Sequence, residues 1–396
     1  MNMKCRKSKD AVILLIALFA LAHAAWLPAQ SMNISDSRPI TNGSGVITFT
    51  SDGAIAIVSP PAGESSPYGV NWNGDIRMNS SGIFQIDNTG SGSSLIETTF
   101  TLEGDLTGPG DFTKTGTGTF VLKDGEFLQS FTGKIIIEAG IFELGSDGEL
   151  HKDIAVILNG GTLDISAASD QEIASLEGAK GSTVNLGDKT LTVGGNNANS
   201  TFSGTLKGGS LPPPPSSSGT FAKTGTGTMS FIGTTIEGDV DVQVTDGTFV
   251  VSGITGAFGE VTIDGNTAQF ILGIDPDIFE IITVGELEIK DDGTLRMRVD
   301  EEGGHDQIKG LTTANTSEGT IEIDALAGKY DTSSGDLKYS LFTGTTTSIS
   351  PSDPLRQKFL NGTLTGGELT ITGRKDDYFQ SLAQTWNSTP NQRQLP

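Results

Sequence analysis

Apolar residues alternate with polar ones over short runs, and each run opens on a glycine. The frame is Gly-x-Φ-x-Φ, with Φ apolar. It reads GVITF at 45–49, GAIAI at 53–57, GIFQI at 82–86, GTFVL at 118–122, GIFEL at 140–144 and GTLDI at 161–165. It returns behind Gly227, Gly247, Gly259, Gly285, Gly293, Gly319, Gly335 and Gly367. A period of two predicts strands with alternate side chains facing a core. The leading glycine supplies a turn or a positive-φ corner. Clusters of Gly, Asn, Asp and Ser between the runs are turn signals.

A strand of this kind has only two or three inward apolar side chains. Each stabilises by roughly 1.5–3 kcal/mol on full burial, less than the entropy of ordering a whole coil. Neighbours must therefore stack and share a core. A sandwich or barrel and a stacked solenoid both satisfy many short strands with regular turns. Internal repetition favours the solenoid: KTGTGT stands at 114–119 and again at 223–228, an offset of 109 residues. The expected fold is all-β, a right-handed parallel β-helix. At ~22 residues per coil and ~4.8 Å per stacked strand it makes a rod on the order of 70–80 Å. Within the repeated motif, Gly116, Gly118, Gly225 and Gly227 are read as coil corners. Lys114 and Lys223 are read as solvated outward charges, and the threonines as members of a ladder.

The chain has 396 residues, 53 of them Gly. That much Gly with abundant Thr and Ser disfavours long helices. The exception is the N-terminus. Lys4, Arg6, Lys7 and Lys9 precede an apolar run at 11–22 (AVILLIALFALA), followed by Ala-His-Ala at 22–24. This is the pattern of a cleaved export signal, cut between Ala24 and Ala25, with an alternative near residue 29. Twelve residues are too few to span a bilayer comfortably, and no later run qualifies, so no integral membrane segment is expected after cleavage. Cys5, the one cysteine, precedes the apolar run, so the mature chain has none. Its stability must come from a large core or from repetition.

Acidic residues number 48 against 25 basic, a net charge of −23. Removing four basic residues and Asp10 with the signal leaves 47 against 21, a net of −26. A nucleic-acid partner would need a basic footprint, and the charge excludes that class. The bland reading is a solubility charge on a long surface. Four consecutive prolines at 212–215 cannot lie within a central strand and mark a stiff polar loop.

The stretch at 111–122 (DFTKTGTGTFVL), continued by Thr132-Gly133 and Gly140-Ile-Phe142, resembles the passenger-associated strand repeat of bacterial autotransporters. The copy at 221–231 continues less faithfully and lacks the Thr-Gly element. Residues 303–310 with 319–323 resemble that family's C-terminal passenger rung, and Tyr330, Tyr339 and Phe342 the aromatic rung that follows. Residues 377–393 resemble the junction to the translocating barrel. The resemblance implies a signal at 1–24, a cap or first coils at 25–100 and a passenger at 101–375. The repeats lie near 104–144 and 219–251, and the junction is at 376–396. It implies an exported protein of the cell surface or periplasm of a Gram-negative-type bacterium. The role would be structural or adhesive, with an outer-membrane translocator barrel and a host or polysaccharide surface as partners. The chain ends at Pro396 without the strands of such a barrel, so a truncated, functionless remnant is a further reading.

Candidate chemistry is sparse. His151 and His305 are the only histidines after the signal, and no G-x-S-x-G elbow accompanies them. Both are expected as turn residues. The glycines of KTGTGT do not form the G-x-x-x-x-G-K-[ST] phosphate loop. Arg296, Arg298, Asp300, Glu301, Glu302 and Asp306 make the densest charged cluster. Alternation places Arg296, Arg298 and Asp300 on an outer strand face, the arrangement a carbohydrate-active lyase or glycosidase would use. Any solvated strand has the same look. Asp291, Asp292, Glu301 and Glu302 are possible calcium oxygens without the calcium nonapeptide. No catalytic residue, metal site or cofactor is assigned, and the enzyme remains the alternative function.

Overall fold

A computed structural model of the chain describes residues 32–34, 37–39, 45–124, 130–209, 217–316, 318–326, 330–344, 349 and 360–374. The expected signal with Ala24 and Ala25, the proline loop and the segment at 376–396 lie outside the described residues.

The chain is a parallel β-helix. One sheet of thirteen strands is its spine, from Ser37–Pro39 to Thr320–Ala325. A second sheet of eight strands runs from Tyr68–Trp72 to Thr235–Glu237. A third, of nine, starts at Gln171–Ile173 and reaches Phe342–Gly344. In the first coils a four-stranded sheet, Met32–Ile34 to Leu106–Thr107, takes the turn that the third sheet takes later. Past Thr235–Glu237 the second sheet ends, and the coils pass between spine and third sheet alone. Among the described residues the only helical turn is a 3-10 turn at Gly92–Ser94, and no helix is long and apolar enough to cross a membrane.

One circuit takes 30 residues from Gly82 to Phe112, 23 from Phe112 to Ile135 and 20 from Thr228 to Thr248. Mid-rod the circuit from Ser200 to Met229 takes 29 residues, so circuits scatter around the expected length instead of keeping it. Thirteen strands at ~4.8 Å each give a spine of roughly 60 Å, shorter than expected because some circuits carry long corner loops.

Inward alternation fills the interior. Phe84, Ile86, Phe120, Leu122, Phe142, Leu144 and Leu163 are fully buried in one continuous core. The run at 53–57 is out of phase. There Ala54, Ala56 and Val58 face the core, and Ile55 and Ile57 turn outward. Ala56 stacks in register beside Phe84. The ring of Phe49 lies 2.1 Å from where a Gly82 Cβ would be, so no inward side chain fits at Gly82 beside Ala54.

Phenylalanines continue from coil to coil. Phe84 and Phe112 are 5.9 Å apart, Phe112 and Phe120 4.9 Å, and Phe120 and Phe142 5.3 Å. A second group joins Phe202, Phe221, Phe231, Phe249 and Phe270 at 4.8–5.9 Å. Such pairs add about 0.5–1.5 kcal/mol beyond the area they bury. An antiparallel sheet of Leu337–Ser340, Glu368–Arg374 and Leu360–Thr365 follows the last coil. Leu341 and Phe342 N–H groups both donate to the Gly367 carbonyl, at 3.0 and 3.1 Å.

Phe120→Ala should lower the unfolding free energy by about 3–5 kcal/mol, whereas Val121→Ala, on the opposite face, should change it by about 0.5 kcal/mol or less. Urea unfolding followed by circular dichroism measures both. Equal losses would contradict the inward assignment.

Candidate functional site

The two KTGTGT stretches are corners. The first carries the chain from the spine strand Phe112–Thr115 into the second sheet at Thr119–Asp124. The second carries it from Gly219–Lys223 in the third sheet into the spine at Thr228–Ile232. One motif thus serves two different edges of the coil.

Lys114 and Lys223 were expected to be solvated. They are buried, at 0% and 1% exposure. Lys114 Nζ donates to the carbonyls of Thr115 at 2.7 Å, Gly116 at 2.9 Å and Ala139 at 3.2 Å. Lys223 Nζ donates to Thr224 at 2.6 Å, Gly225 at 2.6 Å and Asp246 at 3.2 Å. Leaving a sheet strips corner carbonyls of their ladder partners. An ammonium has three N–H groups, and here each meets one such carbonyl. Two belong to the lysine's own corner and one to the next coil, so the side chain laces successive turns together. Burial pulls each ammonium down to about 8, opposed by the charge of Asp87 at Lys114 and of Asp246 at Lys223.

The glycines make this approach possible. Gly116 has φ 74° and Gly140, one coil on, φ 68°; Gly225 and Gly247 repeat the pair at 70° and 67°. A Cβ on Gly140 would stand 2.4 Å from the carbonyl oxygens of Gly116 and Gly118 and 2.8 Å from Lys114 Nζ. Gly118 is closed in by Ile86 Cγ2 at 2.5 Å, and Gly227 by the Ala198 carbonyl oxygen at 2.4 Å. All six motif residues are corner parts. Gly140 and Gly247 complete the same corners from the next coil, a link hidden by spacings that follow coil length.

The charged cluster at 296–306 divides. Arg296 lies on the outer face as expected and pairs with Asp324 at 2.8 Å. Arg298 also projects from that face, but it is covered, at 8% exposure. Its Nε and Nη2 hold Asp306 at 2.9 Å each, Nη2 also donates to the Ile278 carbonyl at 2.7 Å, and Nη1 donates to the Asp275 carbonyl. The solvent-lining role expected for Arg298 is overturned, because the loop that follows Gln269–Leu272 lies over it and takes its hydrogen bonds. Asp306 is fully buried and accepts the Arg298 and Glu280 N–H groups as well, both at 2.8 Å.

Asp300 accepts the Glu302 N–H at 2.9 Å and the Gly304 N–H at 2.6 Å, as a turn residue does. Asp291 and Asp292 have φ 46° and 63° and turn the chain between Ile281–Lys290 and Thr294–Val299. His151 sits beside Asp153 at 3.5 Å, and His305 meets the Tyr339 ring edge-on at 5.9 Å. Tyr330 donates to the Val299 and Leu326 carbonyls at 2.9 Å, and Tyr339 to the Asp300 carbonyl at 2.6 Å. Burial pushes both phenols up, Tyr339 to about 12. Among the described residues no group of three or more His, Cys, Asp or Glu is placed to hold a metal ion.

The outer faces differ in chemistry. On the spine, Ile83, Thr113, Ile136, Ile157 and Glu177 stand in register along successive coils. Past Glu177 the face sinks into a polar groove of about 480 Å³ lined by Glu177, Asn199, Ser200, Thr201, Thr228 and Ser230. The second sheet carries the ladder Thr99, Thr119, Ile141, Thr162, Thr183, Thr205 and Thr235. The third presents acidic side chains, with Glu260 directly beside Glu286. This arrangement suits recognition by display along the rod.

No family model matches the chain. It is similar to the adhesin BmaC autotransporter of Brucella suis biovar 1 (strain 1330), 29% identical over 260 residues. The match covers 57% of this chain, which spans 7% of the length of that relative. The similarity supports a passenger-like chain, in agreement with the resemblance read from the corner motif.

Lys114→Met strands three buried carbonyls and should destabilise by about 1–3 kcal/mol at neutral pH. The sign of its pH dependence follows from linkage. The folded ammonium titrates at about 8 against an ordinary 10.5, so between those values the unfolded chain binds the extra proton and stability rises with pH. The native chain should gain stability relative to Lys114→Met from about pH 8 to about pH 10, with no trend below. A level difference across that window in urea titrations would sink this account. Gly140→Ala, pressed on two carbonyls at positive φ, should lower the unfolding free energy by at least about 1–3 kcal/mol; a neutral result in the same titration would remove the corner packing described above.

Proposed function

We propose that the chain is an exported adhesive rod of the passenger type, displayed at the surface of a Gram-negative bacterium. The observation that carries this reading is the similarity, over 57% of the chain, to a protein named an adhesin autotransporter. The parallel β-helix supports it, because ladders that recur at every coil give a long repetitive surface. The unusual side chains support it too. Lys114 and Lys223 direct their hydrogen bonds to the chain's own backbone carbonyls, and Arg298 directs its own to two carbonyls and to Asp306. Arg298 therefore lends no support to a carbohydrate-cleaving reading.

In this proposal residues 1–24 direct export, 25–100 form the first coils, 101–375 are the passenger and 376–396 lead toward an outer-membrane translocator barrel. The ligand is a host or polysaccharide surface, and the role is non-catalytic.

Co-expressed with an autotransporter barrel, the chain should reach the envelope fraction and be cut by protease added to intact cells. Cells displaying it should adhere to host-cell monolayers or immobilised polysaccharide more than cells with the barrel alone. Retention inside the cell would refute surface display. Display without any gain in adherence would refute adhesion, and release of reducing sugars from the polysaccharide would restore the enzyme.

A further inference from the structure

The segment 273–280 leaves the coil after Gln269–Leu272 and rejoins it at Ile281. With Ile281 it carries three of the four large apolar side chains that stand exposed among the described residues. Ile274 is 59% exposed, Ile278 56% and Ile281 56%. A slack loop would fold such residues back onto the protein. Here hydrogen bonds hold the backbone with these side chains turned outward.

The restraint is the buried ion pair described above. The Arg298 guanidinium reaches the Asp275 and Ile278 carbonyls while Asp306 fixes it from behind. Its Cζ lies 5.7 Å from the centre of the Phe279 ring. Within the loop, the Asp277 N–H donates to Asp275 Oδ1 at 3.0 Å. On the returning limb, Glu280 accepts from Ser252 Oγ at 2.7 Å and from the Gly253 N–H at 2.8 Å. The bend itself needs Gly273, at φ 69°, where a Cβ would stand 2.0 Å from Arg298 Nη2. The polar groups fix the backbone, and the isoleucines are left to solvent.

The rim of this patch is acidic. Asp275 and Asp277 lie within the loop. The turn bearing Asp300, Glu301 and Glu302 abuts it, because a Cβ on Gly304 would meet both Phe279 Cε2 at 2.3 Å and Asp300 Oδ2 at 2.6 Å. An apolar centre within a polar rim is the usual anatomy of a protein interface. A loop already rigid loses little conformational entropy on contact.

We propose that residues 274–281 form a preformed docking surface for a protein segment whose apolar contact is bordered by lysine or arginine. The carboxylate rim selects that occupant. A second copy of this chain would bring the same carboxylates against it, and an anionic lipid surface would be repelled. The proposal does not depend on the adhesive reading.

The test uses the full mature chain and a labelled synthetic amphipathic helix of leucine and lysine, followed by fluorescence anisotropy. A second probe carries glutamate in place of lysine. The native chain should bind the lysine peptide and not the glutamate peptide. Ile274→Ser with Ile278→Ser should weaken binding by about tenfold or more, the scale of one lost hot spot. Asp275→Asn with Asp277→Asn should weaken it less and flatten its salt dependence. Both variants should keep the native circular dichroism and unfolding midpoint. Undiminished binding by the serine variant would overturn the proposal. So would a dimer in sedimentation that the serine variant breaks, which makes a second copy the occupant. A lower unfolding midpoint in the serine variant would also overturn it, because the chain's own residues would then cover the patch.

Discussion

A chain that winds into coils must leave each sheet, and at every exit backbone groups lose their ladder partners. Nearly everything distinctive here answers that constraint. Carbonyls at two corners are met by lysine ammonium groups, Lys114 and Lys223, each reaching one carbonyl in the next coil. N–H groups are met by the opposite chemistry. Asp52, Asp111, Asp170 and Asp241 accept the N–H of Ser81, Lys134, Thr190 and Glu260, each 19–29 residues further along. Asn197 and Asn199 do the same for Thr226 and Thr228, and Asn88 accepts the Thr98 N–H within its own coil. The acidic composition is therefore partly structural. These carboxylates cap the following coil, a role that a net-charge count cannot separate from solubility.

The architecture was legible because period-two alternation and repetition are local signals, carried within about five residues of each strand. The phase of the run at 53–57 was not, because the five-residue frame points its isoleucines inward and the stacked coil buries its alanines instead. Circuit length was not legible either. It is set by how far the corner loops extend, and a loop of any length can rejoin the same ladder. The motif's lysines, read as outward charges, are buried. By alternation Lys114 belongs with Phe112 on the inward face. A free lysine avoids such a position, so charge argued for the surface. Three carbonyls converging from two turns reverse that preference, and they become neighbours only when the coils stack.

Arg298 shows the complementary failure. Alternation placed it on the outer face beside Arg296, and it does project there. One is solvated enough to pair with Asp324, and the other is covered by a loop contributed 20 or more residues earlier. Nothing in the strand itself distinguishes them. A buried pair of this kind adds little net stability, because desolvation offsets much of the attraction. Its consequence is specificity of shape: two carbonyls, one carboxylate and one ring fix a single course for residues 273–280.

Regular ladders and irregular corners divide the work of the molecule. A ladder repeats one environment along the rod, so it offers many weak and similar contacts, and any target it engages is held by their number. Discrimination requires a place unlike its neighbours. The spine has one where Glu177, Thr201 and Ser230 replace the isoleucine column. The corner from spine to third sheet has another, where the chain departs between Leu272 and Ile281. Because each coil contacts only the next, such departures accumulate without disturbing the stack, provided every exit is capped. The buried lysines, the stacked corner glycines and the Arg298 pair are what permit the surface to vary while the core repeats.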